Sequence, residues 1–121
     1  MTKVLHLLIL VLAVLTGVHK ISTIEVKSGW VHLYDENGKK YKSLNENTVG
    51  EIQGYSSTFF ISKTHGWIHL YDAEGKKYKD LNVNTIGEVI GVSGDRFTSR
   101  KGAWIITWDK NGKKLSSRSA R

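Results

Sequence analysis

A threefold internal repeat with a step of 37 residues dominates this sequence. Aligning residues 47–81 on residues 84–118 gives 14 identities in 35 positions, which is far above the level of unrelated segments. The recurring residues are Trp30, Trp67 and Trp104; Asp35, Asp72 and Asp109; and Gly38, Gly75 and Gly112. A repeat of this length predicts three equivalent supersecondary units that bury their apolar faces against one another. The chain of 121 residues is long enough for one domain, with units at about 19–46, 47–83 and 84–121.

Each unit is predicted to be a four-stranded antiparallel meander. The aromatic and β-branched runs GWVHLYD, GWIHLYD and AWIITWD have strand length, and each is followed by a turn of the type DENG, DAEG or DKNG. The runs GKKYKSL, GKKYKDL and GKKLSSR then supply the second strand of a hairpin. NTVGEIQGY and NTIGEVIGV are interpreted as one more strand, and STFFISK and DRFTSRK as its partner. The first strand of unit one is absent or degenerate.

The apolar pattern of the strands indicates an all-β fold in which sheets are covered on both faces. In unit two, Trp67, His69 and Tyr71 point to one side of the strand, and Ile68 and Leu70 point to the other. Stacked blades of four strands fit this pattern, either as half of a propeller or as a stack that a second copy completes. A closed threefold β-prism or β-trefoil is the alternative.

The first 18 residues have a different composition from the repeats. A lysine near the start precedes the run VLHLLILVLAVL, and the repeat identity disappears in this region. The layout is typical of a signal peptide, which predicts an exported protein that is secreted, periplasmic or on the cell surface. The alternatives are an uncleaved N-terminal membrane anchor or a buried strand of the fold.

The residues that could carry chemistry are few. The absence of cysteine excludes disulfides and thiolate metal sites. His32 and His69 share a repeat position and could be acid–base or metal groups, but unit three has Ile106 there. We therefore expect these histidines to lie on a semi-buried packing surface, with no metal, no cofactor and no enzymatic activity.

The unit G-W-[VI]-x-x-Y-D-x-x-G-K-K resembles the tryptophan–glycine β-repeats of many secreted or surface bacterial proteins. It is also broadly similar to propeller blade repeats. The resemblance covers residues 29–118 and implies a noncatalytic scaffold or binding role, with no shared active site.

The aromatic residues of the repeats are the first candidate binding groups. A module that recognises a glycan or a protein would use Trp30, Tyr34, Trp67, Tyr71, Trp104 and Trp108. The competing expectation is that these hairpins are structural, in which case Trp67→Ala would cost roughly 3 to 5 kcal/mol. A tryptophan found at the surface would instead become a candidate ligand contact.

The basic residues are the second candidate binding groups. The net charge is +7, and lysines recur at one place in each unit: Lys39, Lys40, Lys76, Lys77, Lys113 and Lys114. Such edges could bind a polyanion, or they could prevent edge-to-edge aggregation of the sheets. An exported location makes nucleic acid the least favoured partner. Self-association into a homo-oligomer, as a structural protein, is the remaining alternative function.

Overall fold

The computed structural model describes residues 19–121. The predictions for residues 1–18, a signal peptide or a membrane anchor, lie outside the described residues. Between residues 19 and 121, no helix is long and apolar enough to cross a membrane.

Eleven strands and two helical turns make up the described chain. The strands are β1 (Thr23–Lys27), β2 (Trp30–Tyr34), β3 (Lys40–Asn45), β4 (Glu51–Tyr55), β5 (Phe59–Thr64), β6 (Trp67–Asp72), β7 (Lys77–Asn82), β8 (Glu88–Ser93), β9 (Arg96–Lys101), β10 (Trp104–Asp109) and β11 (Lys114–Ser119). The helical turns are α1 (Glu46–Val49) and α2 (Val83–Ile86).

The strands form three separate antiparallel sheets, which we call blades. The first blade has the order β1-β2-β3, the second β4-β5-β6-β7 and the third β8-β9-β10-β11. Each strand pairs with its neighbour in sequence, so every blade is a meander. The all-β fold of blade-like repeats is therefore confirmed, and none of the three sheets closes into a barrel within residues 19–121.

One boundary prediction was wrong. The run that begins at Asn47 starts with a helical turn, and its strand begins only at Glu51; the second copy of the run, after Asn82, behaves in the same way. The reason is local: the side chain of Asn45 accepts a hydrogen bond from the Asn47 amide and caps α1, as Asn82 does for α2.

Gly50 ends α1 with a backbone that other residues rarely adopt. Its φ is 96°, and a Cβ atom there would lie 2.6 Å from the carbonyl oxygen of Lys63. Gly87 repeats this conformation against Arg100, with φ at 90°. The glycine therefore lets the connecting segment cross closely over the next blade's second strand.

Two apolar cores hold the blades together. Phe59, Ile61, Ile68 and Leu70 of the second blade pack against the third blade, where they meet Phe97, Ile106 and Trp108. On the opposite face of the second blade, Phe60, Tyr71 and Ala73 pack against Val31 and Leu33 of the first blade. The second blade is thus apolar on both faces because both faces are covered, as the strand pattern predicted.

The outward face of the third blade has lost much of this apolar character. The positions of Phe59, Ile61, Leu70 and Leu81 in the second blade are taken by Arg96, Thr98, Thr107 and Arg118 in the third. The first blade likewise has Thr23 at the position of Phe60 and Glu25 at that of Ser62. Terminal units with polar outer faces are the usual way in which a stack of repeats ends.

Tyrosine hydroxyls add a hydrogen bond to each packed pair of blades. Tyr41 donates to the carbonyl of Ala73 at 2.6 Å, and Tyr78, one repeat later, donates to the carbonyl of Lys110 at 2.5 Å. Burial, together with nearby carboxylates, raises the pKa of both hydroxyls to about 12. Each bond fastens an outer strand to the aspartate turn of the following blade.

The close crossing at Gly50 predicts a large effect of a single methyl group. Gly50→Ala should lower the free energy of unfolding by about 2 to 4 kcal/mol, since it adds left-handed backbone strain to a clash with the main chain. Gly66→Ala is the matched control: Gly66 has open space around its Cβ position, and the third unit carries Ala103 there. Urea unfolding of both variants tests this, and equal losses would contradict the packing assigned to Gly50.

Candidate binding surface

A row of three exposed tryptophans runs along one end of the blades. Trp30, Trp67 and Trp104 each begin the second strand of an equivalent hairpin, and we call them the tryptophan row. Their exposed fractions are 45%, 47% and 54%, whereas Trp108 is 9% exposed. The row follows tight turns in which Ser28 and His65 have positive φ values, so the chain reverses directly before each indole.

The expectation that Trp67 is a core residue was wrong. Its alternation with His69 and Tyr71 placed it on an inward face, but it lies at the strand end, beyond the cover that the adjacent blade provides. Tyr71 is buried against Phe60, with ring centroids 4.8 Å apart. The two ends of one strand face therefore have different roles.

The remaining aromatic candidates are mostly structural. Trp108 packs on Phe97 and donates its indole N–H to Ser99 Oγ at 2.9 Å. Ser99 in turn donates to the carbonyl of Ile86, so the indole is linked to the end of α2. Tyr34 is half-buried, and its hydroxyl donates to Glu25 at 3.2 Å. Neither Trp108 nor Tyr71 is available to a ligand in this structure.

The predicted lysine edges lie at the outer strands. Lys40, Lys77 and Lys114 begin β3, β7 and β11, which are the outer edge strands of the three blades. Lys39, Lys76 and Lys113 lie in the preceding turns, where Asp35, Asp72 and Asp109 accept hydrogen bonds from their backbone amides. All six side chains are exposed. Their placement suits both of the roles expected for them.

His69 joins three strands of the second blade through hydrogen bonds. Its Nδ1 lies 2.5 Å from Asp80 Oδ1 on β7, and its Nε2 lies 2.5 Å from Thr64 Oγ1 on β5. Lys77 Nζ is 3.4 Å from the same Asp80 oxygen. The hydrogen bond from His69 is the main cause that lowers the pKa of the Asp80 carboxyl below its usual value.

This hydroxyl, imidazole and carboxylate chain has the connectivity of an acyl-transfer relay, but its setting is that of a packing network. His69 is 8% exposed and lies on the same face of the second blade as Phe60 and Tyr71, which pack against the first blade. The equivalent His32 bonds only Ser43, and the third blade has Ile106 at this position. The network ties the outer strand to the rest of its blade.

A groove of about 200 Å³ lies beside the last member of the tryptophan row. It is lined by Lys101, Trp104, Ile106, Lys114 and Ser117, all from the third blade. Another cleft, of about 350 Å³, lies near His19 and mixes cations with carboxylates. There His19 is paired with Glu74 at 2.8 Å, and Lys110 with Asp95 at 3.5 Å. Of these two clefts, the one beside Trp104 places two lysines that form no ion pair within residues 19–121 next to an exposed aromatic ring.

Within residues 19–121, no three histidine, aspartate or glutamate side chains come together as a metal site would require. The chain matches no protein-family model, and no curated protein is significantly similar to it.

Sequence reasoning missed the lysine that precedes the tight turn in the first and third units. Lys27, Thr64 and Lys101 occupy one repeat position and lie beside the tryptophan row, because each pairs with its tryptophan in the hairpin. The 37-residue step was the signal that could have found them. Among the basic residues, only the lysine pairs of the hairpin turns were predicted from this step.

The exposed and buried indoles give a direct stability comparison. Trp67→Ala should lower the free energy of unfolding by less than about 1 kcal/mol, whereas Trp108→Ala should cost about 3 to 5 kcal/mol. Thermal or urea unfolding of the two variants provides the measurement. If Trp67→Ala lowered the free energy of unfolding as much as Trp108→Ala, Trp67 would be a core residue and the surface assignment would be wrong.

The Asp80 contact predicts a pH-dependent contribution to stability. Because the folded-state pKa of Asp80 lies below its ordinary value of 3.8, the unfolded state binds more protons at acidic pH. The stabilisation is therefore present above about pH 4 and is lost as the pH falls through the folded-state pKa. Asp80→Asn should be less stable than the parent at pH 6, and this difference should disappear in strong acid.

The free energy of unfolding of both proteins should be measured from about pH 2 to about pH 7, a range that includes the titration of carboxyl groups. Glu36→Gln, in an exposed turn, is the control for removal of a surface carboxylate. If Asp80→Asn and the parent differed equally at every pH, the His69 contact would contribute no charge-dependent stability.

Proposed function

We propose that this protein is a noncatalytic β-repeat binding module, of the tryptophan–glycine repeat type, that is exported and recognises a glycan or a protein partner through its tryptophan row. The observation that carries the proposal is the repeated exposure of one aromatic residue. Trp30, Trp67 and Trp104 remain near half exposed, while Tyr71 and Trp108, on the same strands as Trp67 and Trp104, are buried.

The arrangement of the row supports a ligand that contacts more than one blade. Packed sheets lie roughly 10 Å apart, so neighbouring indoles are separated by a distance of this order. Indoles offer large apolar area with little conformational entropy to lose, which is why tryptophan is enriched where binding energy concentrates. Contacts on successive blades would add by raising the effective concentration of each next contact.

The competing function is a structural protein that a second copy completes. Closing a ring of blades in that way would bury the outward faces of the first and third blades. Those faces carry Glu25, Arg96, Arg100 and Arg118, of which the three arginines would be desolvated together. The polar ends thus favour a module that acts through its surface.

Binding to immobilised glycans and to surface extracts would test the proposal. The triple variant Trp30→Ala, Trp67→Ala, Trp104→Ala should keep the fold and lose binding by more than about tenfold. The control replaces Tyr55, Ile90 and Leu115 by Ala, since these residues are also exposed and apolar but lie outside the row. Equal binding by the two variants would refute the role of the tryptophan row.

Solution mass distinguishes the two candidate functions. We expect the full chain to sediment as a monomer, because its terminal blade faces are polar. Arg96→Glu, Arg100→Glu should leave that mass unchanged. A stable dimer that the double variant dissociates would instead support completion of the stack by a second copy.

A further inference from the structure

We propose that the groove on the third blade is an anion-selective subsite, in which Trp104 stacks on a sugar ring while Lys101 and Lys114 bind its carboxylate or sulfate group. This inference rests on the proposed function and specifies the ligand class as an acidic polysaccharide. It concerns the groove of about 200 Å³ lined by Lys101, Trp104, Ile106, Lys114 and Ser117.

Strand register places these five side chains on one face of the blade. Lys101 pairs with Trp104 across the β9–β10 hairpin, and Ser117 pairs with Ile106 across β10 and β11. Lys114 pairs with Trp108, one step further along the same face. The site is therefore built on rigid strands, with a lysine on each side of the tryptophan strand.

The surfaces of the groove differ in character. Ile106 is 8% exposed and forms an apolar floor, whereas Trp104 is 54% exposed. A sugar ring has apolar C–H faces and a polar rim, so it suits an indole beside an apolar floor. The Ser117 hydroxyl can donate to or accept from that rim.

The charge of the groove is uncompensated. Neither Lys101 nor Lys114 forms an ion pair within residues 19–121; the Lys101 ammonium donates only to the carbonyl of Thr85, at 3.2 Å. Two cations that share one groove repel each other and raise its local potential. An anionic group placed between them would relieve this repulsion.

The other blades show which parts of the site change together. The second blade has Thr64 at the position of Lys101 and Asp80 at that of Ser117, and Asp80 pairs with Lys77. Its version is neutralised and has no free lysine pair. The first blade has Lys27 opposite Trp30 and Lys40 opposite Tyr34, but Glu25 and His32 share that face. The third blade alone, among the three, has two lysines and no acid on this face.

A single-stranded nucleic acid is the other ligand that uses aromatic stacking and cations, but the layout favours a sugar. Nucleic-acid grooves follow the backbone with positive charge over several nucleotides. Here the second blade carries Asp80 on the equivalent face. This acid interrupts the positive charge between Lys27 and Lys40 of the first blade and Lys101 and Lys114 of the third. An isolated charged subsite fits a polymer that presents one anionic group on one ring.

Titration of the full chain with three polysaccharides tests the inference. The probes are alginate, which carries carboxylates, dextran sulfate, which carries sulfates, and neutral dextran. Binding to at least one anionic polymer, but not to dextran, is expected. Lys101→Ala and Lys114→Ala should each weaken it by about tenfold and should reduce its dependence on salt by about one released ion.

Lys113→Ala is the matched control. Lys113 is adjacent to Lys114 in sequence, but it lies in the turn and outside the groove. The variant therefore removes one positive charge without changing the groove. It should weaken binding far less than Lys114→Ala does. If Lys113→Ala and Lys114→Ala weakened binding equally, the loss of affinity would be explained by net charge alone, and the subsite would be overturned.

The outcomes separate this inference from the function on which it rests. Binding that depends on the tryptophan row but is unaffected by Lys101→Ala and Lys114→Ala would overturn the subsite and leave the binding module in place. If neither the lysine substitutions nor the tryptophan substitutions weakened binding, both proposals would be overturned. Tighter binding of an oligo-thymidine strand than of either anionic polysaccharide would assign the groove to nucleic acid and refute the sugar assignment.

Discussion

The rest of this structure depends on the burial of a sheet that has two apolar faces. A meander of four strands, such as β4 to β7, cannot cover both Ile68 and Tyr71 by itself, because they point to opposite sides. Burying a large apolar side chain contributes on the order of 2 kcal/mol, so leaving either face exposed would be costly. Neighbouring blades remove both faces from water, and this requirement makes the repeats one cooperative unit.

The same requirement accounts for the more polar outward face of the third blade. Phe59 and Leu70 are replaced by Arg96 and Thr107 in the blade that has no described successor. Hydrogen bonds follow the stacking as well: the Tyr41 and Tyr78 hydroxyls each reach across to the next blade, and Leu115 takes their position in the third. Leu115 is exposed, since no further blade follows it in the described chain.

The tryptophan row and the third-blade groove arise from positions that stacking leaves uncovered. Each indole lies at a strand end, so repeat symmetry presents all three on the same side of the molecule. Residues that differ between equivalent positions of the repeats then give each blade a different surface chemistry. Asp80 turns toward His69 and Lys77 in the second blade, whereas Ser117 leaves Lys114 unpaired in the third. A common scaffold therefore carries three different surfaces.

By itself, the sequence determined the repeat length, the strand pairs, the aspartate turns and the two-sided covering of the middle blade, because these follow from spacing and from the alternation of side chains along a strand. It did not reveal α1 and α2, since a single helical turn capped by Asn45 or Asn82 leaves no periodic pattern. The exposure of Trp67 was also decided by the tertiary structure: alternation gives the face of a residue, but only the reach of the adjacent blade decides whether that end of the face is covered. The lysines of the groove came together for the same reason, since Lys101 and Lys114 lie on different strands, and the register places them opposite Trp104 and Trp108 on one face of the blade.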